Sequence, residues 1–105
     1  MNKERQAEIV ALAIQTYGVS QQLNQVNEEL AELIVEVAKN KRGFNNRRAI
    51  VEEMGDVLHC FEYLKMILDI HDEEIHDAMD YKLERTYKRI QEGYDPRKEF
   101  RFNEI

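Results

Sequence analysis

The sequence predicts an all-α fold, and three observations carry that prediction. Its apolar residues recur at intervals of three and four along most of the chain. No alternating strand-type pattern, internal repeat or low-complexity tract interrupts them. Breakers are scarce, four glycines and one proline in 105 residues, so each one marks a boundary between long helices.

The first helix is expected from about Lys3 to Tyr17, with Ile9, Val10, Leu12, Ala13 and Ile14 as its apolar content and Gly18 as its C-terminal cap. Ser20 is the expected N-cap of a second helix, about Gln21 to Lys41. That helix is amphipathic through Leu23, Val26, Leu30, Leu33, Ile34 and Val37. Its last turn is basic (Lys39, Lys41, Arg42), which complements the helix dipole. Gly43 to Asn46 reads as a loop. The third helix, about Arg47 to Asp69, is the most apolar. Ile50, Val51, Met54, Val57, Leu58, Phe61, Leu64 and Leu68 form one broad face with Cys60 and Ile67 beside it, a pattern expected of a helix buried on more than one side. Ile70 to Glu73 is a polar break with Asp72 as the candidate N-cap, and a fourth helix runs to about Gln91, before Gly93. The expected organisation is one helical domain, a four-helix bundle over 1–93, with a tail over 94–105 that starts at Asp95-Pro96 and carries Phe100 and Phe102.

Composition narrows the function. A chain of 105 residues is one domain's worth, with a core too thin to bury both faces of the third helix and still wall a deep pocket, so a homo-oligomer, dimer or tetramer, is expected. With 15 Lys and Arg against 21 Asp and Glu, the net charge of -6 argues against a nucleic-acid or anionic-membrane partner. An acidic chain that handles phosphate needs a metal. The single cysteine, Cys60, forms no internal disulfide and suits a reducing cytoplasm. The longest apolar run, Ile9 to Ile14, falls far short of a membrane span, and Met1-Asn2-Lys3-Glu4 lacks the apolar segment of a signal peptide; a soluble, cytoplasmic protein is expected.

Carboxylates beside apolar stripes are the feature that asks for chemistry. On the second helix Glu29, Glu32 and Glu36 flank the stripe, and Gln22 and Gln25 continue their row one turn back. On the third, Glu53 and Asp56 fall on a line with Cys60 and Ile67. A half-buried carboxylate is costly unless it meets a cation or a metal. The fourth helix carries Lys82, Arg85 and Arg89 along the border of its apolar side, marked by Ile75, Met79, Leu83 and Ile90. The acids and the basic row either pair with each other as salt bridges or together form a site for a metal-bound polyphosphate. A Walker-type phosphate loop is excluded, because Gly18, Gly43, Gly55 and Gly93 are isolated.

Glu28-Glu29-Leu30-Ala31-Glu32, followed after an interval by Glu53-Met54-Gly55-Asp56, resembles the E-E-x-x-E and E-x-x-D signature of the MazG-like all-α nucleoside triphosphate pyrophosphohydrolases. Tyr17-Gly18-Val19, the stretch from Glu28 to Arg42 and Asp80-Tyr81-Lys82-Leu83-Glu84-Arg85 look like the short, single-domain, phage-type members. The resemblance spans roughly Tyr17 to Ile90. Family members often carry Asn where Asp80 stands and a second basic residue where Thr86 stands. The resemblance implies cleavage of an NTP or dNTP between the α and β phosphates to give a monophosphate and pyrophosphate. It also implies Mg²⁺, with Mn²⁺ as a substitute, held by Glu29, Glu32, Glu53 and Asp56. Lys82 and Arg85 would neutralise the leaving pyrophosphate, and Glu28 is a candidate water-orienting base, although the helical wheel sets it farther round than Glu29 and Glu32.

Three other readings compete. A phosphoribosyl-ATP pyrophosphohydrolase uses similar acidic helices. A di-iron carboxylate bundle is suggested by Asp56-x-x-His59 and Glu73-x-x-His76, which mimic Glu-x-x-His pairs. His59 lies away from the apolar face, however, and Glu73 stands at a helix start. A non-enzymatic adaptor would use the helical surface and the tail phenylalanines. Gln22, Gln25, Phe61 and Tyr63 are candidate base contacts in the nucleotide reading.

Overall fold

A computed structural model describes residues 1–98, which hold four α-helices, a 3-10 turn at Pro96–Lys98 and, among the described residues, no strand. Helix α1 spans Lys3–Tyr17, α2 Val19–Lys41, α3 Arg47–Leu68 and α4 Asp72–Gln91. The chain is therefore all-α, and no described helix is long and apolar enough to cross a membrane. It divides into two compact units, Met1–Ile70 and the chain from His71 onward. Phe100 and Phe102 lie outside the described residues.

Caps explain the boundaries. The Asn2 side chain accepts from the Arg5 N–H at 2.8 Å and starts α1. Gly18 ends α1, its N–H donating to the Ile14 carbonyl at 2.8 Å, and starts α2 through its own carbonyl, which accepts from Gln22 N–H at 3.2 Å. Its φ of 91° is a conformation that glycine alone adopts freely. Because one residue serves both helices, α2 begins at Val19. Ser20, the expected N-cap, sits inside its first turn. The cap of α4 also moves by one residue. His71 holds the extended cap conformation and its N–H donates to the Glu74 carboxylate at 2.8 Å, so Asp72 lies in the first turn with Glu73 and Glu74, where acids favour the dipole.

In the first unit α2 and α3 run antiparallel, since Gln25 meets Cys60 at one level and Glu36 meets Asn46 near the connecting loop. Asn46 straps that end. Its Nδ2 donates to the Glu36 carbonyl at 2.9 Å and to Glu36 Oε2 at 2.7 Å. Helix α1 packs on both partners, and the buried residues are Val10, Gln22, Val26, Val57, Cys60 and Tyr63.

The buried stripe of α3 runs through Val57, Cys60 and Tyr63, at one edge of the expected broad face, whose Val51, Met54 and Leu58 stay exposed. Leu58 remains 63% exposed, and on α2 Ile34 remains 69% exposed. A helix apolar over so wide an arc can turn only part of it to a single partner, and the part turned inward here lies beside the half-buried Glu53. In the second unit α4 has no buried residue, and Met79, Leu83 and Ile90 are exposed.

Candidate metal centre

Three carboxylates converge where α2 faces α3. Glu29 from α2 and Glu53 and Asp56 from α3 each bring one oxygen within 4.8 Å of the others. The spacing from 53 to 56 keeps two acids on one side of α3, and the antiparallel register sets Glu29 against them. Glu29 and Glu53 are half-buried and Asp56 is exposed. One oxygen of each half-buried acid, Glu29 Oε2 and Glu53 Oε2, is shielded from solvent and has no hydrogen-bond partner.

The electrostatics follow from that crowding. Burial, a hydrogen bond to Glu29 and the charge of Glu32 push the Glu53 carboxyl up to about 7. Burial also raises Glu29, as do the charges of Asp56 and Glu32, while its contact with Glu53 works in the opposite direction. Both carboxyls are thus held above their ordinary range, and because each perturbs the other they titrate together rather than singly. The same field reaches Cys60, whose thiol is pushed up to about 11 by burial and by Glu29 and Asp56. Within the first unit no lysine or arginine pairs with Glu29, Glu53 or Asp56. Salt bridging inside that unit therefore does not account for these acids.

Not every expected ligand joins the group. Glu32 is exposed and stands outside the close triad, farther along α2 toward the connecting loop. It acts on Glu53 through its charge and a side-chain hydrogen bond, both raising the Glu53 carboxyl, and borders with it a shallow depression of about 250 Å³. Glu28 is exposed on α2, and Lys82 and Arg85 are exposed on α4, in the other unit. Beside Lys82 the Thr86 hydroxyl donates to its carbonyl at 2.9 Å, an ordinary helical back-bond.

A cleft of about 340 Å³ opens beside the acids, lined by Tyr17, Gln22, Gln25, His59 and Tyr63, with Glu29 and Asp56 at one end. Gln22 and Tyr63, each 5% exposed, are hydrogen-bonded to one another in its wall. The His59 ring lies 4.8 Å from the Tyr63 ring at 46°. Of the side chains considered as base contacts, Gln22, Gln25 and Tyr63 line this cleft, while Phe61 does not.

No protein-family model, curated protein or solved structure matches the chain.

The donor set itself limits what the site can hold. All three donors are carboxylate oxygens, with no sulfur or imidazole in the triad. Hard divalent cations prefer such a set, and two shielded oxygens without donors gain most from a cation between them. The di-iron reading needs histidine in the same cluster. His59 instead lines the cleft with its ring tilted against that of Tyr63, and His76 belongs to the second unit.

Proposed function

We propose that this protein is a Mg²⁺-dependent nucleoside triphosphate pyrophosphohydrolase of the MazG-like kind, releasing pyrophosphate and a nucleoside monophosphate. The observation that carries this reading is the meeting of Glu29, Glu53 and Asp56 across two helices, with two shielded, unpartnered oxygens among them. The sequence resemblance and the oxygen-only donor set support it from separate directions. A triphosphate and a group of carboxylates repel, so divalent cations must lie between them.

In this reading Glu29, Glu53 and Asp56 would hold the metal, and Glu32, which contacts Glu53, would complete the set. Bound there, Mg²⁺ supplies Lewis acidity toward the phosphate oxygens and a more acidic water. Glu28 accepts a proton from the attacking water. Water adds at the α phosphorus in line with the departing oxygen, the α–β anhydride bond breaks, and pyrophosphate leaves with the bond's electron pair. Offsetting the negative charge that grows on it is the role the resemblance gives to Lys82 and Arg85. The uncharged polar side chains of Gln22, Gln25 and Tyr63 in the cleft would offer hydrogen bonds to the base.

A second copy of the chain belongs to this proposal. Val51, Met54 and Leu58 on α3 and Ile34 on α2 leave apolar area exposed that a homodimer or homotetramer would cover. A screen of the eight common NTPs and dNTPs with Mg²⁺, read as pyrophosphate release, tests the activity. Turnover of at least one of them is expected, and none with any would refute the proposal.

A further inference from the structure

We infer that Gln25 is a positioning residue, holding Glu29 in the orientation that lets its second oxygen face Glu53 and Asp56. The inference rests on the metal-site reading above.

Gln25 lies one turn before Glu29 on α2, and its Nε2 donates to Glu29 Oε1 at 2.8 Å. That bond occupies one carboxylate oxygen. The other, Oε2, is the shielded oxygen without a partner. Asp56 and Glu32 raise the cost of charge at this position, and Glu29 also borders the open cleft of about 340 Å³. Like-charge repulsion therefore favours rotation of Glu29 out of the triad and into the cleft. The Gln25 amide opposes that rotation with a charge-assisted hydrogen bond. Gln25 is itself fixed, because the Cys60 Sγ–H donates to its backbone carbonyl across the helix interface at 3.8 Å. The positioning thus runs from α3 through the Gln25 backbone to its side chain and on to Glu29.

Hydrogen-bond partners of metal ligands typically govern about 10- to 100-fold in metal affinity. Mn²⁺ titration of the full chain, followed by the EPR signal of the free ion, reads this directly and needs no turnover. Gln25→Met keeps the length of the side chain without the donor, and Gln25→Ala removes the chain without inserting an apolar one. Each is expected to weaken Mn²⁺ binding about 10-fold or more at unchanged helical content by circular dichroism. Gln22→Met serves as control. It perturbs a buried amide on the same helix that contacts Tyr63, so it should lower the melting temperature while keeping Mn²⁺ affinity within about twofold. In a Glu29→Gln background the Gln25→Met loss should vanish, since the residue acts through Glu29. Wild-type binding with undiminished affinity in the folded Gln25 variants would overturn the positioning role alone. Absence of Mn²⁺ binding by the wild type would overturn the metal-site reading, and the positioning role with it.

Discussion

Glu53 on α3 and Glu29 on α2 meet carboxyl to carboxyl across the helix interface, and burial with that contact brings the Glu53 acid to about 7. A carboxyl that titrates near neutrality in a metal-free helical pair makes stability, metal binding and pH parts of one equilibrium.

The sign for stability follows from the direction of the shift. Glu53 is raised from 4.5 to about 7 on folding, so its contribution is fully present below the unfolded value and is lost as pH rises through the folded one. In EDTA the difference in melting temperature between wild type and Glu53→Gln should therefore grow from about pH 5 to about pH 8, with the variant the more stable at the upper end. Differential scanning calorimetry at several pH values measures it. A difference independent of pH would show that Glu53 does not titrate in this window.

Divalent metal should reverse that loss. Ligation requires ionised carboxylates, so Mg²⁺ or Mn²⁺ should raise the melting temperature more at about pH 8 than at about pH 5.5. Calorimetry with and without saturating metal compares the two. Equal increments would separate metal binding from these acids.

Asp56→Asn and Glu32→Gln are expected to abolish turnover, by more than about 100-fold each, while keeping helical content and apo stability at or slightly above wild type. The two need not act alike. Asp56 belongs to the close triad, so its loss should appear in Mn²⁺ affinity without substrate. Glu32 stands outside it, and its loss should appear chiefly in turnover. Circular dichroism, metal titration and pyrophosphate release distinguish these effects.

Asn46 is the structural counterpart to these functional positions. Its two bonds to Glu36, at 2.9 and 2.7 Å, hold the loop end of the α2–α3 hairpin, one of them to a carboxylate. Asn46→Ala should cost about 2 kcal/mol in urea unfolding and leave Mn²⁺ affinity unchanged. A loss in metal affinity would mean that the strap also sets the register of the triad.

The helices were legible in the sequence because their boundaries rest on local chemistry. Gly18 and the loop before Arg47 interrupt otherwise continuous helical periodicity. The caps at Ser20 and Asp72 were displaced by one or two residues, since backbone geometry at Gly18 and His71 takes the cap position whatever polar side chain follows. Less legible was the inward face of α3. Periodicity gives one broad apolar arc and does not say which part of it α2 covers; the edge with Val57 and Cys60 is buried, while Val51, Met54 and Leu58 stay exposed. Along the row Gln22, Gln25, Glu29, Glu32 and Glu36, where half-burial is expected, Gln22 is fully buried, Gln25, Glu29 and Glu36 are half-buried and Glu32 is exposed. Pairing between helices decides that burial, and no single helix records it.

The most direct measurement of the central claim is turnover in ¹⁸O-labelled water with Mg²⁺ and a hydrolysable NTP or dNTP, followed by mass spectrometry of both products. Attack at the α phosphorus places the label in the nucleoside monophosphate and leaves pyrophosphate unlabelled. Label in pyrophosphate, or orthophosphate as the main product, would contradict the account, because either places the reacting water at a different phosphate from the one proposed for the Glu29, Glu53 and Asp56 centre.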